Sequence, residues 1–181
     1  MISSMETQLS DHTNWGYWEI AYKEPGTGKD YHLHVPGAFW IAGEQTPAST
    51  VNDLITSNFN ATYTGDAQGV KFDHSGQMTR LTNGQTNLNI DFDSSVTTPV
   101  TGTISFTEIT LSVFSSMGDV TSQGFKGTIT GADTGSKVNG TYFGNTLTNG
   151  VQGAQGIGGN FSATFSGSPT TTYQGIFAGD R

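Results

Sequence analysis

The sequence contains no cysteine, which removes disulfides, thiolate zinc sites, thiol catalysis and a lipid-bearing N-terminal cysteine from these 181 residues. Charge is scarce as well, at 12% of residues, and it is one-sided: seven Lys or Arg stand against fifteen Asp or Glu, for a net charge of −8. So acidic a surface lacks the cationic groups that supply most nucleic-acid affinity and that draw a protein to anionic lipid. Nucleic acid is therefore not an expected partner. No stretch approaches the roughly 20 apolar residues of a membrane helix, so this segment is not expected to insert in a membrane. Met1-Ile-Ser-Ser-Met5 has neither the basic nor the apolar region of a signal peptide. The chain reads as a mature or excised segment whose export signal and anchor, if any, lie elsewhere.

What remains is polar and glycine-rich. Only 33% of residues are hydrophobic and 25 are glycine, a composition shared by turn-rich β structure and by disorder. Three Trp, six Tyr and eleven Phe decide for folding, because each buried aromatic removes roughly 150–250 Å² from water and disordered chains are poor in them. From residue 59 onward, short segments alternate in character with period two and are bounded by Gly, Asn, Asp or Pro. Phe59, Ala61 and Tyr63 share one face of the first. Leu88, Ile90 and Phe92 do so in the next, followed by Ile104 with Phe106, Phe125 with Ile129, Val138 with Tyr142, and the closing pair at residues 160–166 and 172–178. Hairpin-length turns between half-polar strands describe an antiparallel meander. Glycines inside strands, at 127, 140 and 175, suggest bends or close packing where a sheet curls.

The expected fold is thus all-β, a single eight-stranded antiparallel up-and-down barrel over residues 14–181, preceded by a flexible extension at 1–13. Trp15–Tyr22 reads as the first strand, Tyr31–Val35 as a short strand or ordered loop, and Ala38–Gly43 as an aromatic strand. A single helical turn is expected between Pro47 and Leu54, capped by Thr46 or Ser49. Trp18, Phe92, Ile104, Phe106, Ile129, Phe161 and Phe165 are expected inside.

Several phrases together resemble one family: Trp15-Gly-x-Trp18, Trp40-Ile-Ala-Gly-Glu-Gln-Thr-Pro47, Ala61-Thr-Tyr-Thr-Gly65 with Ala67-Gln-Gly69, Leu88-Asn-Ile-Asp-Phe92 before Val100-Thr-Gly-Thr-Ile104, and Gly140-Thr-Tyr-Phe-Gly144 before Gly156-Ile-Gly-Gly-Asn-Phe161. In this order, over residues 14–181, they are similar to the C-terminal barrel of transferrin-binding protein B, of factor H-binding lipoproteins and of related haemophore-like proteins. The resemblance implies an exported bacterial barrel, extracellular or at the cell surface, that binds a protein partner or a small ligand and performs no catalysis. The lipidated cysteine and the second, handle domain of better-studied relatives are not visible here. Transferrin or factor H binding does not carry over residue by residue.

His32 and His34 are two apart, so on an extended segment both point to one face, a spacing that could hold a metal ion or give haem an axial ligand. The same spacing equally describes two loop histidines beside Tyr31. Haem is the one cofactor this implies, since some relatives capture it; no metal ligand set is assigned. Trp15, Tyr17 and Trp40 belong to the densest aromatic set, and any left outside would be candidates for a protein-binding hot spot. No catalytic residue is assigned, because no nucleophile stands beside a base and an oxyanion donor in any recognisable spacing. The aspartates at 66, 73, 91, 93 and 119 read as turn residues, and Gly153–Gly159 as a flexible hairpin turn. An architectural domain of a larger surface protein or adhesin is the alternative from another class.

Overall fold

The computed structural model describes residues 2–148 and 151–181, with the side chains of 2–10, 19–22, 30–37, 147, 148 and 151 outside the description. In chain order the strands are β1 (Ile2–Ser10), β2 (Thr13–Lys23), β3 (Asp30–Gly43), β4 (Asn60–Phe72), β5 (Met78–Arg80), β6 (Gln85–Asp91), β7 (Val100–Phe106), β8 (Ile109–Phe114), β9 (Val120–Thr121), β10 (Gly124–Ile129), β11 (Lys137–Phe143), β12 (Leu147–Thr148), β13 (Val151–Gln152), β14 (Gly156–Phe165) and β15 (Thr171–Asp180). One helix, α1 (Ala48–Thr56), separates β3 from β4.

Eight of these strands close a barrel in the order β4-β6-β7-β8-β10-β11-β14-β15, each antiparallel to the next, with β15 returning to β4. The order follows the sequence, so the fold is the up-and-down meander expected. Closure leaves no unpaired edge in the ring. Strands β1, β2 and β3 form a separate three-stranded sheet. One expectation is corrected by this arrangement. Residues 2–10, ahead of the barrel, form a strand paired with β2 from Ile2↔Ile20 to Ser10↔Thr13. The aromatic strands at 15–22 and 38–43 pair with each other and not with the barrel wall, which is built from residues 60–180.

The barrel interior is filled by side chains alternating inward from every wall strand. Tyr63, Leu88, Ile104, Leu111, Phe125, Tyr142, Ile157 and Phe177 are each no more than 2% exposed. A connected series of rings runs through it, Phe59–Phe92–Tyr142–Phe125–Phe177, with successive centroids 6.0, 5.2, 5.8 and 6.2 Å apart and all planes tilted. Tilted contacts at these distances suit aromatic quadrupoles better than flat sandwiches. Phe92, Ile104, Phe106, Ile129 and Phe161 are buried as expected, and Phe165 is partly buried against the same cluster. Trp18 is not inside: it is 45% exposed.

The strand glycines have a direct packing reason. Phe125 faces Gly140 across β10 and β11, and a Cβ at Gly140 would lie 2.2 Å from the Phe125 ring. Phe161 faces Gly175 across β14 and β15 in the same way, with its ring 2.7 Å from where a Cβ would be. Each glycine gives an inward aromatic the floor it lies on, as the curl of a small barrel requires.

The helix is longer than one turn, at nine residues, and Pro47, not Thr46 or Ser49, occupies its N-cap without a side-chain cap bond. Val51 and Leu54 belong to the barrel's buried cluster, so α1 packs its apolar side on the core just before β4 begins. Thr46 is buried for another purpose. Its hydroxyl donates to Gly144 O at 2.7 Å and accepts from Ala154 N at 3.0 Å, tying the helix entrance to the β11–β14 connection. Thr46→Val keeps the volume and removes both bonds. It should lower unfolding free energy by about 1–3 kcal/mol, the cost of stranding buried backbone groups, read as a lower urea midpoint at unchanged m.

Candidate functional site

The candidate site is the N-terminal sheet with the stretch of barrel wall beneath it. Alternation along β2 and β3 sends Trp15, Tyr17, Phe39 and Ile41 toward the barrel, where they pack with Ile176 and Ala178 of β15. Trp15 is 5% exposed and Ala178 is fully buried, so the outer wall is dry here. The wall is also flat: a Cβ on Gly158 would come within 2.5 Å of Ile41 Cδ1. This explains the glycine run at 153–159, expected as a flexible turn. Its second half starts β14 and pairs on both sides, with β11 and β15. Tyr17 stacks obliquely on Trp15 at 6.2 Å and lies under the Arg80 guanidinium at 5.9 Å, a cation–π contact that ties β5 to the sheet.

The opposite face of the sheet points away from the barrel. Gly16 pairs with Trp40, and Trp18 follows two residues after Gly16, so alternation puts Trp18 and Trp40 on this outward face. Trp40 is half-buried with its Nε1 covered, while Trp18 stands in solvent. At Trp18 the ladder slips: Tyr17 pairs with Phe39 but Glu19 pairs with His34. Residues 35–38 therefore oppose a single residue, and the hairpin ladder is split into two parts, 13–17 with 39–43 and 19–23 with 30–34. Bulges of this kind re-aim side chains and collect at functional sites.

Of the residues singled out from sequence, Trp15 and Tyr17 serve the internal seam and Trp40 lies on the outward face. Trp18, expected inside, is the indole that faces water. The error is one of phase. The aromatic cluster was legible, but which members face outward depends on a second sheet covering the barrel, and period-two reading carries no sign of that. His32 and His34 sit on the part of β3 before the register break, opposite Ala21 and Glu19, and their side chains lie outside the described residues. Beside the sheet runs an open groove of about 370 Å³ between β3 and the β11–β14 wall, lined by Ile41, Gln45, Asn139, Thr141, Phe143 and Asn160. No charged side chain is among its lining residues.

Two buried tyrosines and two turn aspartates of the barrel have perturbed titration. Tyr63 donates its hydroxyl to Ala154 O at 2.9 Å; burial pushes its pKa well above the usual phenol value, and the charge of Arg181 opposes this. Tyr142 is raised chiefly by burial and further by Tyr63. The Asp73 carboxylate is held below the usual range first by the Ser75 hydroxyl and then by the Gln77 N–H, and Asp93 by the N–H and hydroxyl of Ser95. Both are turn aspartates folded onto their own backbone. Among the described residues no three His, Asp or Glu side chains gather as a metal site.

The architecture defines a class: a closed eight-stranded antiparallel barrel carrying an antiparallel sheet on one wall. It is similar to the crystal structure of isotype 1 transferrin binding protein B from serogroup B Neisseria meningitidis, with a TM-score of 0.56 and 18% identity over 99% of this chain. The match spans 34% of that protein's chain, and at this identity it shows a shared barrel fold. No family profile matches the sequence, and no curated protein does.

Proposed function

We propose that this chain is a non-enzymatic binding module of a bacterial surface or secreted protein, and that it contacts a protein partner or ligand through the outward face of its N-terminal sheet. The observation that carries the reading is Trp18, an indole 45% exposed at a break in the strand register and on the same face as Trp40. A chain with three tryptophans and so few aliphatic residues leaves one in water where burial would stabilise the fold by roughly 1.5–3 kcal/mol or more. Tryptophan dominates interface hot spots because its large rigid surface is ordered at low entropic cost. The barrel, packed with rings, serves as the pedestal. Likeness to a transferrin-binding protein supports the fold and the surface setting, and the ligand here is left to experiment.

The test is capture from host plasma by the immobilised chain, with Trp18→Ala beside it. The variant should keep its stability within about 0.5 kcal/mol and lose captured protein by a factor of at least about 30, the effect of a hot-spot residue worth 2 kcal/mol. Capture of the same proteins in the same amounts by Trp18→Ala would refute this face as the site. A parallel arm with haem-loaded buffer and the double variant His32→Ala, His34→Ala addresses haem: retention that disappears in the double variant and persists in Trp18→Ala would move the function to the part of β3 that carries the two histidines.

A further inference from the structure

The barrel wall is closed, but the N-terminal sheet is not. Its strand order is β1-β2-β3, and among the described residues β3 is laddered to β2 alone. In an antiparallel ladder alternate residues turn their N–H and C=O toward the partner strand, and the residues between turn theirs away. Over residues 39–43 β3 therefore presents a row of backbone donors and acceptors that no strand takes up, the usual template for pairing with another chain. Ile41 here is half-buried, and Ala42 and Gly43 are exposed, so this length of edge is open to solvent.

The edge borders the open groove of about 370 Å³, whose described lining includes Ile41, Ala42 and Gly43 but no residue of β1 or β2, so the groove lies on the side of β3 turned away from its partner. One end is closed by the chain itself. Gln45 bridges Phe143, with Gly144 N donating to Glu44 O at 2.8 Å and Thr46 N to Tyr142 O at 3.0 Å, so just past the groove the chain already pairs as a strand with the end of β11. On the floor, Gly140, Gly158 and Gly159 carry no side chain, which lets another backbone come close. Across from β3 stand the side chains of Asn139, Thr141 and Asn160. A side-chain amide donates and accepts just as a peptide group does. An extended chain in the groove would thus satisfy one row of its backbone groups on β3 and the other on these amides, leaving neither stranded. The protein has a net charge of −8, yet no charged side chain lines the groove, so nothing in it selects an ionic segment. A saccharide could use the amides but would leave the strand edge unpaired.

We infer that the edge of β3 over residues 39–43 takes up an extended, uncharged peptide segment of a partner protein as a fourth strand of the N-terminal sheet. Main-chain hydrogen bonds supply the affinity in such strand addition, and the side chains that alternate along the added strand supply the specificity. The inference rests on the reading of the chain as a binding module, but not on its outward aromatic face: the contact is made by backbone at the edge of the sheet and by amides of the barrel wall.

The probe is a phage-displayed library of random peptides about ten residues long, enough for one strand, selected on the immobilised whole chain, with the enriched sequences then made as free peptides. In the free protein the amide hydrogens of residues 39–43 should alternate between slow and fast exchange, and saturating peptide should slow the fast ones by at least about tenfold. Methylating every second backbone nitrogen of the peptide should abolish binding in one phase and spare it in the other, a signature that contact through side chains alone does not give. Asn160→Trp, at an exposed position of the far wall, should fill the groove and weaken the peptide by at least about tenfold, while Trp18→Ala leaves it unchanged. Should Asn160→Trp fail to fold, the methylation phases still decide on the wild-type chain. No enriched peptide, or peptides indifferent to both Asn160→Trp and the methylation phase, would overturn the inference. So would a neutral oligosaccharide that binds wild type but not Asn160→Trp when no peptide binds, or a wild-type dimer abolished by Asn160→Trp, which would make the occupant a sugar or a second copy. Peptides lost in Trp18→Ala and kept in Asn160→Trp would overturn it in favour of the aromatic face, so the two readings fail separately.

Discussion

Phe161→Ala is expected to lower the free energy of unfolding by about 3–5 kcal/mol, the cost of truncating a buried phenylalanine whose neighbours cannot close over the gap. Phe161 is 2% exposed, with its ring 5.8 Å from that of Phe106 and resting on Gly175. Neither neighbour can fill the void. Gly175 has no side chain to move, and its strand is paired on both sides, with β14 and β4. A closed barrel also cannot contract around one missing ring without shifting register in every strand. At about 2–4 °C per kcal/mol for a domain of this size the melting temperature should fall by roughly 6–20 °C. The measurement is a thermal melt followed by near-ultraviolet circular dichroism. An unchanged midpoint would mean that Phe161 is not in the core. Phe165→Ala is the control, because Phe165 is only partly buried against the same cluster and should cost less.

The inward position of Phe161 is legible in its own strand, and it marks where period-two reading succeeds. Each of the eight wall strands has one face in the core, so its inward residues are set by the local pattern alone. Leu88, Ile90 and Phe92 need no information from elsewhere in the chain. The same reading misplaces Trp18 because burial along β2 is decided by a partner sheet. Trp15 and Trp18 are chemically alike and three apart, so they lie on opposite faces of β2, and which one is covered depends on the wall of β15. The clue lies at the far end of the sequence. Ile176 and Ala178 alternate with Phe177, so this strand is apolar on both faces, the mark of a sheet covered on both sides. Such a strand calls for a second layer over β15.

The glycines supply the other large effect, and they separate two kinds of crowding. At Gly140 the three atoms nearest an added methyl all belong to the Phe125 ring, its Cζ, Cε1 and Cε2 at 2.2, 2.5 and 2.8 Å. That ring is wedged between Tyr142 and Phe177, so it cannot swing aside. Gly140→Ala should therefore destabilise by about 1–3 kcal/mol or somewhat more, as overpacking does. At Gly175 the methyl would meet the Phe161 ring at 2.7 Å and also the Gln68 carbonyl oxygen at 2.0 Å. Gln68 O belongs to the neighbouring strand β4, whose ladder with β15 runs through Gly175↔Gly69. Moving that oxygen means breaking the barrel's closing pair. Gly175→Ala should thus cost more than Gly140→Ala, and the two should respond differently to a smaller ring partner. Phe125→Leu removes the obstacle at Gly140, so the double variant Phe125→Leu, Gly140→Ala should be more stable than the sum of its single effects by at least about 0.5 kcal/mol. Phe161→Leu leaves the carbonyl where it is, so adding it to Gly175→Ala should recover little. Denaturant midpoints for the two double-mutant cycles decide the matter. Equal recovery at both sites would mean that the rings alone dictate glycine there, and that the wall between β15 and β4 gives way more easily than its ladder implies.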